Sequence, residues 1–215
     1  MTRRLLLVLL FGTLLAGASS ADEPKSDEKK AVSLFDGKTL DGWEVSDYAG
    51  HGEVEVLDGK IMLPRGESLT GINLTKKRFA EVMPKVDYEV TLEAMRVDGN
   101  DFFCGLTFEV NDDPCSLIVG GWGGSLVGLS SLNDADASEN ETTAFHSFEK
   151  NKWYRIRLRV KQDHIDAWID DEHIVNVGIE DVRLSVRLEV ESSRPFGIAS
   201  WCTGSAVRNI QVRSL

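Results

Sequence analysis

The chain has 215 residues, with 24 Lys or Arg against 35 Asp or Glu, and a net charge of −11 at pH 7. A chain this acidic is repelled by phosphate backbones and anionic bilayers, which argues against nucleic acid and membrane surfaces as partners and leaves neutral sugars and cationic groups. Its length suits one domain of ordinary size around a single core.

At the N-terminus Arg3 and Arg4 precede an apolar run over residues 5–15, and small residues follow at 16–21. That order predicts a secretory signal peptide over residues 1–21, cleaved after Ala21 or after Ala18. The run is shorter than the roughly 20 residues a membrane span requires, so no insertion is expected after cleavage. No Cys follows it, which disfavours a lipid anchor. The expectation is an exported protein, periplasmic or extracellular, whose mature charge changes from −11 to −13 as Arg3 and Arg4 leave. Residues 22–31 are charged, lack periodic apolar positions and read as a disordered polar linker. Residues 32–215 then keep one pattern throughout and form one domain.

The pattern has period 2. Residues 53–57 and 60–63 flank Asp58-Gly59, a dipeptide suited to a two-residue primed turn, and predict a hairpin. A short helix fits residues 78–83. Tyr88, Val90 and Leu92 alternate inward, after which the apolar parity moves to Met95 and Val97 and predicts a β-bulge. Phe102, Cys104, Leu106, Phe108 and Val110 share one face, ending in a turn at Asn111-Asp112-Asp113-Pro114. In residues 153–160, Tyr154, Ile156, Leu158 and Val160 point one way, and Arg155, Arg157 and Arg159 the other. Ile165, Ala167 and Ile169 continue the apolar set after a turn at Gln162-Asp163. A tight turn there puts Arg159 opposite Asp166, Arg157 opposite Trp168 and Arg155 opposite Asp170, so charge and core alternation favour one register. Residues 196–201 and 206–212 are the last strands. Many short strands with regular turn signals predict an all-β sandwich or jelly roll of antiparallel sheets.

Cys104, Cys115 and Cys202 are an odd set without zinc spacing. One pair could bridge in an oxidising compartment, or all three could be small buried hydrophobes. The hairpin register does not set Cys104 opposite Cys115. Asn73-Leu74-Thr75 and Asn140-Glu141-Thr142 are formal glycosylation sequons.

Several side chains are candidates for chemistry. Asp101 and Glu109 lie opposite the apolar face of their strand, where Glu109 could act as a base or accept a sugar hydroxyl and Asp101 could bind substrate; a solvated strand carboxylate is the alternative. Trp122 sits in Gly120-Gly121-Trp122-Gly123-Gly124, where glycines allow close backbone approach and an exposed indole can stack on a sugar ring; a buried core Trp is the alternative. His146, between Phe145 and Phe148, is the best placed histidine for acid–base work. The segment 133–142 concentrates oxygen donors, with Asp134, Asp136 and Glu139 as candidate ligands for a divalent metal ion such as calcium; it lacks the glycine and spacing of an EF-hand loop, and a solvated loop is the alternative. No nucleophile elbow or phosphate loop is present in the sequence.

The opening Leu34-Phe35-Asp36-Gly37-Lys38-Thr39-Leu40-Asp41-Gly42-Trp43 resembles that of the 3-keto-disaccharide hydrolase family. Gly99-Asn100-Asp101 leading into Cys104-Gly105-Leu106, Lys152-Trp153-Tyr154-Arg155 with Ala167-Trp168-Ile169-Asp170-Asp171, and Phe196-Gly197-Ile198 through Val207-Arg208-Asn209-Ile210 extend the likeness over residues 32–215 in order. The resemblance implies a concanavalin-A-like jelly roll and a carbohydrate substrate with a ketone at C3. That ketone acidifies the C2 proton, so a base can remove it, the C1 oxygen can leave, and water then adds; an enolate-stabilising donor or metal and an acid complete the set. Many members carry Gln-Asp-His-Gly near the penultimate strand, where this chain has Ser200-Trp201-Cys202-Thr203. Trp201 thus becomes a further candidate stacking residue. The departure sets a non-catalytic, lectin-like sugar-binding module beside the hydrolase as the alternative function.

Overall fold

The computed structural model describes residues 30–215; the expected signal segment and most of the linker lie outside the described residues. The strands are β1 (Val32–Ser33), β2 (Trp43–Val45), β3 (Glu55–Leu57), β4 (Lys60–Leu63), β5 (Leu69–Leu74), β6 (Tyr88–Arg96), β7 (Cys104–Val110), β8 (Asp113–Gly121), β9 (Leu126–Ser130) and β10 (Ala144–Phe145). They continue as β11 (Trp153–Val160), β12 (His164–Ile169), β13 (Glu172–Gly178), β14 (Gly197–Trp201) and β15 (Ser205–Ser214). Helix α1 (Lys76–Val82) follows β5, and a 3-10 helix covers Leu188–Ser193.

The strands form two antiparallel sheets, an eight-stranded one in the order β13-β12-β11-β6-β15-β4-β3 with β1 on β15, and a seven-stranded one in the order β10-β9-β8-β7-β14-β5-β2. The result is the predicted β-sandwich. Its last two strands are inserted rather than added: β14 lies between β7 and β5, and β15 between β6 and β4. Tyr88, Val90 and Leu92 of β6 and Tyr154, Ile156 and Leu158 of β11 meet Leu106 and Phe108 of β7 and Leu117 of β8 in one core. Each such side chain, removed fully from water, contributes roughly 1.5–3 kcal/mol.

The local signals act as expected at the hairpins. Asp58 and Gly59 both have positive φ, 49° and 77°, which is the primed turn, and Leu57 pairs with Lys60. Arg159 faces Asp166 and Arg157 faces Trp168 in the predicted register. Asp170 also neighbours Arg155, accepting its backbone N–H through Oδ1 at 2.9 Å. On this outer face Glu89 accepts from Arg159 at 3.0 Å and from Arg213 at 2.8 Å, while the Arg157 guanidinium lies 3.8 Å from the Trp168 ring centroid.

Two parities differ from expectation. The inward set of β6 does not switch at Met95; it runs on through Ala94 to Arg96, which is 5% exposed. Its pairing with β11 is continuous, and the bulge falls instead on β15, between Arg208 and Gln211. Phe102, expected on the core face, turns to the other side of the seven-stranded sheet, and its neighbour Phe103 fills the core. There Phe102 joins Ile118, Leu126, Val190 and Ala199 in a second apolar cluster. Gly105 makes this possible, because a Cβ at that position would lie 3.0 Å from the Phe102 ring.

Arg96 explains the first difference. Its Nη2 donates to the carbonyls of Gly124 at 2.8 Å, Gly120 at 3.1 Å and Asp101 at 3.2 Å, and its Nη1 to Phe148 at 3.4 Å. The guanidinium also lies 5.0 Å from the Phe103 ring centroid. Burial lowers its pKa, with the Asp101 charge acting in the opposite sense. A planar fork with several donors suits this cluster of carbonyls in a way an ammonium does not. Replacement of Arg96 by Met should therefore lower unfolding stability by about 3 kcal/mol, because buried carbonyls lose their donor, and should speed amide exchange at residues 120–124; Arg96→Lys should recover only part of either, as read by denaturant titration and hydrogen exchange.

All three thiols are free. Cys115 faces Phe108 and Cys104 faces Val119, so the hairpin does not bring the two cysteines opposite each other. Burial pushes both thiols up to about 12, whereas Cys202 is partly exposed. A thiolate-selective reagent should label Cys202 alone in the folded protein and all three in denaturant, which thiol counting by absorbance or mass will check.

Candidate functional site

The outer face of the seven-stranded sheet carries small residues where its strands face away from the core: Gly105 and Thr107 on β7, Ser116 on β8, Gly128 and Ser130 on β9, Gly197 and Ala199 on β14. Small residues let covering segments lie close. At Gly197 a Cβ would come within 2.5 Å of the Ser193 carbonyl, so the end of the 3-10 helix rests directly on the strand. Between these covers a cavity of about 230 Å³ opens. Ser116, Ile118 and Ser130 line it from the strands, Trp201 from the end of β14, and Asp101, Phe102 and Trp122 from the loops at one end of the sheet. Arg187, Glu189 and Val190 supply the remaining wall.

Trp122 sits at the tip of the β8–β9 hairpin and is 45% exposed, so its indole is available to solvent and not part of the core. Its φ of 46° is made possible by a loop held from below by Arg96. Gly120 is required there, since a Cβ would lie 2.5 Å from Arg96 Nη2. Asp101 is fixed on two sides. Its backbone N–H donates to Thr203 Oγ1 at 3.0 Å, and its Oδ1 accepts from the Phe102 N–H at 2.8 Å. The Trp201 N–H donates to the Phe102 carbonyl at 3.0 Å, which ties the Asp101 loop to the end of β14. The segment Ser200-Trp201-Cys202-Thr203 thus divides its tasks: Ser200 and Thr203 are buried, Thr203 holds Asp101, and Trp201 faces the cavity.

Arg187 and Glu189 form an ion pair at 3.0 Å, and Arg187 reaches Asp136 at 2.8 Å on its other side. The Arg187 hydrogen bond holds Glu189 below the usual carboxylate range. Glu189 is therefore an acceptor at neutral pH, and Arg187 a fixed cation beside the cavity. A cavity with two indoles, two carboxylates, one guanidinium and two serine hydroxyls offers a sugar both stacking surfaces and directional hydrogen bonds.

The predicted site residues separate into groups. Asp101, Trp122 and Trp201 come together in the cavity lining. Glu109 lies on the same outer face but further along β7, beyond the Thr107–Ser116 hydroxyl pair, and its carboxylate accepts from Arg194 at 3.2 Å. Burial raises its pKa, with Arg194 acting against the shift. His146 follows β10 at the sheet edge, where Nδ1 is 2.9 Å from Glu172 and the ring packs on Phe148 at 4.7 Å. Neither Glu109 nor His146 lines the cavity; Glu109 is paired with Arg194 and His146 hydrogen-bonds Glu172, both outside it.

The oxygen-rich loop is organised from within. Asn140 Nδ2 donates to the carbonyls of Leu129, Ala135 and Asp136, and Thr142 Oγ1 donates to Asn140 Oδ1. Asp134 pairs with Arg183 and Asp136 with Arg187 and Ser138, while Glu139 points to solvent. Among the described residues no group of three His, Cys, Asp or Glu gathers to hold a metal ion, so Asp134, Asp136 and Glu139 do not converge. The first sequon residue, Asn73, is 6% exposed and bonded to Glu44 and Ser46.

Ser116, Ser130, Arg187, Glu189 and Val190 escaped the sequence reading. The two serines carry a signal, since both occupy outward positions of strands whose inward neighbours are apolar. Residues 187–190 carry none in their spacing and reach the site through the 3-10 turn.

Three solved structures illustrate the fold that the chain shares. Domain 4 of AbnA, an extracellular arabinanase from Geobacillus stearothermophilus solved with arabinotriose, is 12% identical with a TM-score of 0.54, covering 87% of this chain and 94% of that one. Crh5 transglycosylase in complex with NAG is 13% identical with a TM-score of 0.53, over 87% and 83%. An endo-acting O-glycanase of the human gut microbiota is 12% identical with a TM-score of 0.55, over 88% and 100%. A search of the curated proteins finds no match. Among the described residues no helix is long and apolar enough to cross a membrane. The family model described as a 3-keto-alpha-glucoside-1,2-lyase-like domain matches residues 30–213, nearly the whole described chain and every wall of the cavity, and the chain belongs to that family.

Proposed function

We propose that the cavity receives the keto-bearing ring of a 3-keto-glycoside and that the protein cleaves it by elimination and hydration. The observation that carries this reading is the convergence on one cavity of Asp101 and Trp122, from two separate loops, and Trp201, from the end of β14. The indoles stack on the ring. The Asp101 carboxylate, with Oδ1 held by the Phe102 N–H, removes the C2 proton through Oδ2. The electron pair passes into the C2–C3 bond as the C3 oxygen takes up negative charge near the Arg187 cation. It returns to form the C1–C2 double bond as the C1 oxygen departs with the proton that Asp101 took from C2. Water then adds at C1 and a proton returns to C2, so the net reaction is hydrolysis. Glu109 and His146, engaged outside the cavity, receive no step in this scheme.

The N-terminal pattern around Arg3 and Arg4 supports an extracytoplasmic site of action. One observation favours a second reading, sugar binding without turnover: of Ser200, Trp201, Cys202 and Thr203, only Trp201 lines the cavity.

Incubation with 3-keto-trehalose, with and without EDTA, distinguishes the two. The expected outcome is release of a free 3-keto-hexose, with kcat lowered by at least about 100-fold in Asp101→Asn and KM raised about tenfold in Trp122→Ala. Tight binding of the sugar by calorimetry with no product in either buffer would establish the binding-module reading instead.

A further inference from the structure

The outer face of the eight-stranded sheet, on the far side of the sandwich from the cavity, is ordered in rows. The outward residues of β11 are Arg155, Arg157 and Arg159, and each row continues across the sheet through its pairing partners. In the Arg159 row the carboxylate of Glu89 is fully used: Oε2 accepts from Arg159 at 3.0 Å and Oε1 from Arg213 at 2.8 Å. In the Arg155 row Glu93 Oε2 accepts from Arg208 and from Asn209, while Arg155 itself turns to Asp171. Asp166, 8% exposed, accepts from Asn176 at 3.0 Å and lies 2.8 Å from His173 Nε2 and 3.7 Å from His164 Nε2. Every carboxylate of these rows is therefore engaged by a neighbour.

The middle row is different. From β13 to β15 it runs His173, Trp168, Arg157, Thr91 and Gln211, with no carboxylate in it. Among the described residues Arg157 forms no ion pair; its contact is the Trp168 ring, whose centroid lies 3.8 Å from the guanidinium carbon. From the β13 side His173 stacks on the same indole at 4.4 Å and 11°, so three layers from three strands hold one another upright. Stacking fixes the plane of the guanidinium and leaves the N–H donors around its edge free. A fork held in this way matches a carboxylate through two parallel hydrogen bonds. The Thr91 hydroxyl and the exposed Gln211 amide, next along the row, add neutral donors and acceptors beside it.

We propose that this face binds a carboxylate-bearing polysaccharide, with Arg157 as the receptor for a uronate group. A uronate ring offers both things the face can use, a carboxylate for the guanidinium and a C–H surface for the partly exposed indoles of Trp168 and Trp153. An acidic peptide offers only the first. The net charge of −11 opposes a polyanion in general, but salt screens that repulsion beyond about 10 Å and leaves the local pairing to decide. The site is independent of the reading given to the cavity, which lies on the other sheet.

Calorimetry on the full chain in low salt tests this with three probes: an oligogalacturonate, a neutral maltooligosaccharide of the same length, and an oligoglutamate of the same charge. The expected result is that the wild type binds the oligogalacturonate and neither of the others. Arg157→Gln should weaken that binding about tenfold, and Arg157→Lys should restore only part of it, because an ammonium cannot make the parallel pair. Gln211→Glu, which sets a carboxylate in the row, should weaken binding without touching the stack. Thermal melting will confirm that each variant is folded. Absence of oligogalacturonate binding by the wild type, or unchanged affinity in folded Arg157→Gln and Gln211→Glu, overturns the proposal. Equal binding of the oligoglutamate or of the neutral sugar overturns the assignment to an acidic polysaccharide.

Discussion

The buried guanidinium of Arg96 is the constraint around which the functional end of the sandwich is arranged. It closes the inward row of β6 with a charge, where a hydrophobic residue would simply have extended the core. A cation removed from water needs several oxygen partners to be tolerable, and the partners here are main-chain carbonyls of three loops. Those loops are in turn shaped to reach it. Gly120 and Gly124 have positive φ values of 79° and 111°, and at Gly120 a Cβ would lie 2.5 Å from Arg96 Nη2. The same contacts aim Trp122 and support Asp101. Electrostatic satisfaction of one core residue and geometry of the surface cavity are one problem with one solution.

The seven-stranded sheet contributes the other half. Several of its outward positions are small, so loops and a 3-10 turn settle on it with little separation and, with Ile118 and Leu126, build a second apolar cluster. That cluster gives the cavity a firm bed, while the polar rim of Arg187, Glu189 and Asp101 stays accessible. Pre-positioned groups of this kind lose less freedom when a ligand binds, which raises affinity without adding contacts. The opposite sheet spends its outer face differently, on cross-strand arginine–carboxylate pairs of modest individual value.

How much was legible in the sequence follows from which forces are local. The Asp58-Gly59 turn and the 153–169 hairpin are local decisions, made by φ preferences and by alternation, and both could be read directly. The parity of β6 could not, because an arginine in an apolar row looks like a surface residue until its distant carbonyl partners are known. Phe102 departs from the alternation for a related reason: its position depends on Gly105 and Ala199 making room on the other side of the sheet. Within the site, glycine-flanked Trp122 and loop-borne Asp101 stood out through their chemistry. Alternation placed Glu109 on the correct face, but it says nothing of which end of a face holds the cavity. Arg187 and Glu189 were illegible because a non-repeating segment carries them there.

The insertion of β14 and β15 into the middles of the two sheets has a consequence for how the protein comes into being. Until those final strands are available, β7 and β5 in one sheet and β6 and β4 in the other each present an unpaired edge, and neither layer can close. Trp201, at the end of β14, and Asp101 are likewise brought together only by this late pairing. Such long-range closure slows folding, because distant parts of the chain must meet before the contacts reward it. A nascent chain of this topology stays open until the residues of β14 and β15 have emerged.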